Sequence, residues 1–205
     1  MPHVSPSIVL ASVSPRRKDL LAAMGVQVDV HPADIDETPM EGETPAQYVR
    51  RLAFDKAMAV ARLGFSDRLV VGADTIIEHE GEILGKPRDS NHCTEMLTRL
   101  SGARHKVLSG VAMVLAARKE SVVCETTVEF AVLSESQIEA YWATGEPVDK
   151  AGSYAIQGAG ALFVQRMEGS YSNVVGLPVY ETAALFAKFG ITTQQLLLAI
   201  ASGRE

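Results

Sequence analysis

Apolar positions along this chain fall into two periods. Short unbroken apolar runs at Ser7–Ala11, Val26–Val30 and Leu69–Gly72 read as buried strands. Between them, apolar residues recur every three to four positions. One such stretch starts at Pro15 and runs to about Gly25, with Leu20, Leu21 and Met24 on one face and Ser14 at the N-cap. A second opens on Thr44-Pro45-Ala46-Gln47, a capping box with proline at the first helical position. It carries Val49, Leu52, Ala53, Ala57 and Val60 before Gly64 stops it. Thr75–Glu78 and Glu82–Leu84 predict a hairpin turning at Glu80-Gly81, and Ser90–Leu100 predicts a helix ended by Gly102.

Further on, Lys106–Ala117 and Ser121–Leu133 predict two long strands around a charged turn at Arg118-Lys119-Glu120. Ser134-Glu135-Ser136-Gln137 repeats the capping box and opens a helix to about Thr144. Leu162–Gln165 reads as a strand, and Pro178–Phe189 and Thr193–Ala201 as helices. Strands alternate with helices at first and then pair as a long hairpin. The expected class is therefore α/β, a mixed twisted sheet with flanking helices rather than an all-parallel one. No repeat, low-complexity tract or Pro/Ser-rich linker divides the sequence, so residues 1–205 read as a single domain.

Composition narrows the chemistry. With 19 Lys and Arg against 25 Asp and Glu, the chain carries a formal charge of −6. It has no bulk attraction for nucleic acid or an anionic membrane, and any phosphate it binds must meet a local cluster of cations. Met1–Leu10 lacks a basic segment followed by an apolar core, and no apolar run is long enough to span a bilayer, so a cytoplasmic location is expected. Cys93 and Cys124 are too few for a disulfide framework and read as small core residues. His3, His31, His79, His92 and His105 form no H-x-H or H-E-x-x-H pair.

Five segments hold candidate chemistry. In Ser12-Val13-Ser14-Pro15-Arg16-Arg17, a strand gives way to a helix start, where free amides, hydroxyls and guanidiniums suit a phosphate; the same residues also suit an ordinary capped helix. Gly72-Ala73-Asp74-Thr75 places a carboxylate directly after an apolar strand, fit to bind a metal or deprotonate water. Asp34-Ile35-Asp36-Glu37 offers oxygen ligands for a hard cation, or is only an acidic loop. Gly85-Lys86-Pro87-Arg88-Asp89 supplies a compact positive charge without being a P-loop. In Gly145–Gly158, glycines allow close approach to a ligand, while Asp149, Lys150 and the Gln157 amide suit a polar edge.

Taken in order, these segments resemble the Maf family of nucleoside triphosphate pyrophosphatases. The matching stretches are LASVSPRRKDLL (Leu10–Leu21), DIDE (Asp34–Glu37), PAQYVRRLAFDKA (Pro45–Ala57), VVGADTII (Val70–Ile77) and GEILGKPRD (Gly81–Asp89). They continue through MLTRLSGARHKVLSGVA (Met96–Ala112), GEPVDKAGSYAIQGAGALFV (Gly145–Val164) and NVVGLPVYET (Asn173–Thr182), so the resemblance spans about Ile8–Ile191.

The resemblance implies two lobes around a central cleft, dependence on a divalent cation (Mg²⁺ or Mn²⁺), a homodimer, and cleavage of a nucleoside triphosphate to monophosphate and pyrophosphate. It places the catalytic carboxylate on Asp74, metal ligands on Glu37 and Asp74, and phosphate contacts on Ser12, Ser14, Arg17, Lys56 and Lys86. Arg16, Thr75 and Gln157 match the branch acting on dTTP and UTP. The branch acting on 7-methyl-GTP tends instead to have Trp, Gln and a Lys-Ser-Glu-Gly run near these positions. Two other functions stay open at this point: a pyrophosphatase for 7-methyl-GTP or other modified purine nucleotides, and a nucleotide-binding regulator of cell division.

Overall fold

The computed structural model describes residues 8–203. β1 (Ile8–Ala11) is buried along its length; Ser7, expected to open it, and His3 lie outside the described residues. α1 (Pro15–Ala23) starts on the expected proline, with Ser14 extended at the N-cap. The Ser14 hydroxyl does not cap the helix, however; its N–H donates back to Ser12 Oγ at 3.2 Å. β2 (Val28–Val30) is shorter than the apolar run that predicts it. α2 (Pro45–Val60) begins with both bonds of the Thr44/Gln47 capping box in place, and a wide turn at Ala61–Phe65 ends it through Gly64 at φ 104°.

β3 (Val70–His79) corrects the sequence reading. The apolar runs Leu69–Gly72 and Thr75–Glu78 predict two short strands with a break at Ala73-Asp74. The strand instead runs straight through, and Asp74 is only 8% exposed. The hairpin to β4 (Glu82–Leu84) turns where expected, with Glu80 and Gly81 at φ 53° and 84°. α3 (Ser90–Leu100) is capped by the Asp89 carboxylate, which accepts from His92 N–H at 2.8 Å.

β5 (Arg104–Leu115) and β6 (Arg118–Phe130) turn at Ala116-Ala117, two residues earlier than the charged tripeptide suggests. The charges belong to the strand because they have partners there. Arg118 lies over the Phe189 ring, 5.1 Å from its centroid, and Glu120 accepts from Lys188 at 2.9 Å. α4 (Glu135–Ala143) starts with the Ser134/Gln137 capping box. β7 (Val164–Glu168) falls two residues later than predicted, α5 (Tyr171–Val175) was not foreseen, and α6 (Val179–Lys188) follows. α7 (Thr193–Ser202) carries a third capping box, Thr192 with Gln195.

The sheet order is β2-β1-β3-β5-β6-β7, with β4 paired to β3. β1 is parallel to both β2 and β3, while β3/β4 and β6/β7 are antiparallel, so the sheet is mixed as the pattern implies. The chain sorts into two compact units: one from residues up to Asp74, Ser109–Cys124 and the segment from Gly176 on, the other from Thr75–Leu108 and Glu125–Val175.

In the first unit, alternation along β1 sends Ile8 and Leu10 into one apolar cluster with Leu21, Leu185 and Phe186. Val9 and Ala11 go to the opposite face, against Ala53, Ala57 and Val60 of α2. The second unit is built on Leu97, Leu100, Val128, Phe130 and Phe163. Among the described residues no single helix is long and apolar enough to cross a membrane.

His105 sits in the second core, 2% exposed, edge-on to Phe130 and Tyr154, with Nε2 2.8 Å from the Tyr154 hydroxyl. Burial, and less so nearby His79, pulls its pKa down to about 3, against about 6.5 in an unfolded chain. Between those values the unfolded chain binds a proton that the folded one excludes. Stability from this group is therefore complete above about pH 6.5 and is lost on acidification toward pH 3, at up to about 1.4 kcal/mol per pH unit. Denaturant titrations from pH 7 to 4 should show the loss, and His105→Gln should flatten it. An unchanged slope in that variant would assign the acid sensitivity elsewhere.

Candidate active site

The site in the first unit starts from a close approach of backbones. Gly72 in β3 lies against α2 so tightly that a Cβ there would collide with the Ala53 carbonyl oxygen and the Ala57 nitrogen. Gly110 in β5 meets the Val49 carbonyl in the same way. Seated without intervening side chains, α2 carries a lysine on its buried face, between Ala53 and Ala57. Lys56 is 9% exposed, and its ammonium donates to Asp74 Oδ1 at 2.7 Å. The same Nζ lies 2.7 Å from Glu37 Oε1, so the two carboxylate oxygens are within twice that distance of each other. A charged group in the strand interior is tolerated because it is paired there.

β1 ends at Ala11 opposite Gly72 of β3, and the chain leaves it through Ser12–Ser14 into α1. This is the carboxyl end of parallel strands at the point where the strand order reverses, the place where open α/β sheets bind ligands. Arg17 is held there from two sides: Nη1 donates to the buried Ser12 Oγ at 2.9 Å and Nε to the Gly176 carbonyl at 3.0 Å. Burial lowers its pKa, the Asp74 and Glu37 carboxylates oppose that, and neighbouring Arg16 adds to it. A guanidinium nonetheless remains a cation at neutral pH. Ser12, Arg17, Glu37, Lys56 and Asp74 thus share one electrostatic environment, with Arg16 half-buried beside Arg17.

Only Glu37 of the acidic segment joins them. The Asp36 carboxylate turns back to accept from Thr38 N–H at 2.9 Å, and Asp34 is exposed. Tyr48, which the sequence reading did not single out, donates its hydroxyl to the Glu37 carbonyl at 2.7 Å. Burial, with Asp74 and Glu37 behind it, pushes its pKa up to about 12, so it stays a donor. The sequence does carry a signal for this group. Tyr48, Leu52 and Lys56 recur every four residues, and Lys56 falls in the apolar stripe of Val49, Leu52, Ala53, Ala57 and Val60.

The other candidates lie in the second unit. Thr75 follows Asp74 in β3 and is half-buried. Lys86, just past β4, is exposed, and the Gly85 carbonyl before it accepts from Gly152 N–H at 2.9 Å. That bond draws the fourth and fifth motifs together. Gln157 is exposed, in a loop whose neighbouring amides converge on Tyr141 and Glu146. Neither of those residues was foreseen.

Among the described residues no group of three or more His, Cys, Asp and Glu side chains gathers as a metal cage. The Glu37 and Asp74 pair does fit a hard cation that takes one or two carboxylates and completes its shell with phosphate oxygens and water. It does not fit a closed zinc site.

The family model described as "Maf-like protein" matches residues 7–189. The chain belongs to the Maf family. Relatives within it are close. A dTTP/UTP pyrophosphatase of Vibrio cholerae serotype O1 is 52% identical over 182 residues, covering 89% of this chain and 97% of its own. A dTTP/UTP pyrophosphatase of Anaeromyxobacter dehalogenans is 50% identical over 192 residues, covering 91% and 96%. The solved Staphylococcus aureus Ham1 protein overlaps 61% of this Maf chain and 72% of its own at TM-score 0.43 and 16% identity, too loosely to bear on the fold.

Proposed function

We propose that this Maf protein hydrolyses dTTP and UTP between the α- and β-phosphates, releasing the nucleoside monophosphate and pyrophosphate as a nucleotide-pool housecleaning activity. The observation that carries the reading is the ammonium of Lys56 set between the Asp74 and Glu37 carboxylates, in the same electrostatic surroundings as Arg17 at the start of α1. Family membership and relatives at about half identity support the choice of substrate.

A triphosphate brings close to four negative charges onto a protein that is itself acidic, so the site must supply cations. Arg16, Arg17, Lys56 and Lys86 serve as those cations, and Ser12 and Ser14 serve as phosphate donors. Asp74, fixed in a strand and oriented by Lys56, takes the proton of a water that attacks the α-phosphorus. The new bond is oxygen to Pα; the bond broken joins Pα to the bridging oxygen, and pyrophosphate leaves with that electron pair. Glu37 and Asp74 would hold a divalent cation, Mg²⁺ or Mn²⁺, which when bound adds positive charge toward the triphosphate. Thr75, Arg16 and Gln157 are proposed to select the base. The same reading takes the protein to act in the cytoplasm, as a homodimer, on free nucleotides rather than a nucleic acid polymer or a membrane.

Pyrophosphate release measured on dTTP and UTP should stop after exhaustive chelation. Mg²⁺ or Mn²⁺ should restore it better than Ca²⁺, whose longer bonds and looser geometry suit a two-carboxylate site less well. Full activity in the chelated protein would remove the metal from the proposal.

A further inference from the structure

The loop that carries Gln157 is held by a single carboxylate. Glu146 accepts from Ala159 N–H through Oε2 at 2.9 Å and from Gly160 N–H through Oε1 at 3.0 Å. The Tyr141 hydroxyl donates to the same Oε1 at 2.6 Å and accepts from Ala155 N–H at 3.1 Å. The amide of Gly158 turns inward to the Ala155 carbonyl at 3.1 Å. Amides on both sides of Gln157 therefore end on one phenol–carboxylate pair or within the loop itself.

Packing makes the arrangement tighter. Glu146 lies so close to residue 158 that a Cβ there would collide with its carboxylate, which is why a glycine follows Gln157. Gly160 likewise leaves room for the Tyr141 hydroxyl. Tyr141 is 4% exposed and stands edge-on to Phe163, with ring centroids 4.9 Å apart. Glu146 is anchored from behind, since its N–H donates to Thr144 Oγ1 at 3.2 Å and that hydroxyl donates to the Tyr141 carbonyl at 2.7 Å. Backbone amides that donate to an ionised carboxylate are among the stronger protein hydrogen bonds.

We infer that Glu146, through Tyr141 and the amides of Ala155, Ala159 and Gly160, is the positioning residue that sets Gln157 for base discrimination. This rests on the proposed reading of Gln157 as the residue that selects uracil and thymine. An exposed amide on an untethered loop can turn to suit either hydrogen-bonding pattern of a pyrimidine, or neither. Holding the loop at the amides of Ala155, Ala159 and Gly160 fixes where the Gln157 main chain stands, so the side-chain amide meets a base from one direction and fewer of its orientations reach a base edge. Glu146 itself touches neither the base nor the phosphates in this scheme.

The test is Glu146→Gln, which keeps the shape but turns one oxygen into an NH₂ facing N–H donors. In steady-state hydrolysis the kcat/KM for UTP should fall about tenfold or more, a part of the discrimination that a fixed hydrogen-bonding site provides. The rate on GTP should change little, so the UTP-to-GTP ratio collapses by a similar factor. Tyr141→Phe, which keeps the carboxylate, should give an intermediate ratio. Hydrogen exchange at the amides of Ala159 and Gly160 should speed up in Glu146→Gln.

A folded Glu146→Gln protein with an unchanged UTP-to-GTP ratio overturns the inference. If that variant does not fold, an unchanged ratio in Tyr141→Phe, with unchanged exchange at residues 155–160, overturns it equally. A wild-type protein that does not discriminate UTP from GTP would instead sink the reading of Gln157. The exchange measurement would still decide whether Glu146 holds the loop.

Discussion

Asp74→Asn is expected to leave a folded protein whose turnover of dTTP and UTP is lower by about two to four powers of ten, the usual cost of losing a general base. The structure explains why the fold should survive so large a functional loss. Lys56 keeps Glu37 at 2.7 Å, so no buried ammonium is orphaned, and the asparagine carbonyl can still accept from it. What the amide cannot do is take a proton from water. Lys56→Ala makes the contrast, because it leaves a buried carboxylate unpaired and should cost stability as well, by about 3–5 kcal/mol. Turnover measured beside a thermal melt separates the two effects. An Asp74→Asn protein with more than half of wild-type turnover would take Asp74 out of the role of base.

The second large effect concerns the base. dTTP and UTP are expected to be cleaved far faster than dATP, GTP or 7-methyl-GTP. Uracil and thymine share one edge, an O4 acceptor beside an N3–H donor, and the Gln157 amide offers the complementary donor and acceptor. Sites built on such bonds reject bases that leave their polar groups unpaired, by up to roughly 10⁴–10⁵ in favourable cases. Cytosine reverses the pattern, so CTP should be intermediate at best. Gln157→Glu and Arg16→Trp should each lower turnover of UTP and dTTP more than they weaken binding of the triphosphate. Comparable kcat/KM for UTP and 7-methyl-GTP in the unaltered protein would overturn the choice of pyrimidine substrates, leaving the pyrophosphatase chemistry to be judged separately.

Helix starts were the most legible part of the chain. Thr44-Pro45-Gln47 and Ser134-Gln137 announce α2 and α4 through local chemistry that no tertiary contact has to complete. The strand ends were harder to read. Asp74 looked like a terminus because its partner, Lys56, is eighteen residues away, and pairing is what lets a carboxylate stay in β3. Arg118 and Glu120 looked like a turn for the same reason, since Phe189 and Lys188 are distant in sequence.

Within the site, Ser12, Arg17, Glu37 and Asp74 lie in segments whose own chemistry marks them, Lys56 entered only through the family resemblance, and the structure gathers all five. Ser14 is found where expected, at the N-cap, but with a different hydrogen bond. Tyr48 and Glu146 escaped because a tyrosine on an amphipathic helix and a glutamate after Gly145 have ordinary local explanations. Their contacts come into view only in the fold, at the carbonyl of Glu37 and the amides of Ala159 and Gly160.

The glycines at 72 and 110 have a consequence for anyone who redesigns this enzyme. At these two points helix and sheet meet through main-chain atoms, so the closest approach is set by the polypeptide itself, beside the side-chain packing of Val9 and Ala11 on Ala53, Ala57 and Val60. The gap between helix and the Asp74 carboxylate is then spanned by the four methylenes of residue 56. Reach across it can be tuned only in whole bond lengths, by choosing a different cation at that one position, while the scaffold acts as a fixed gauge.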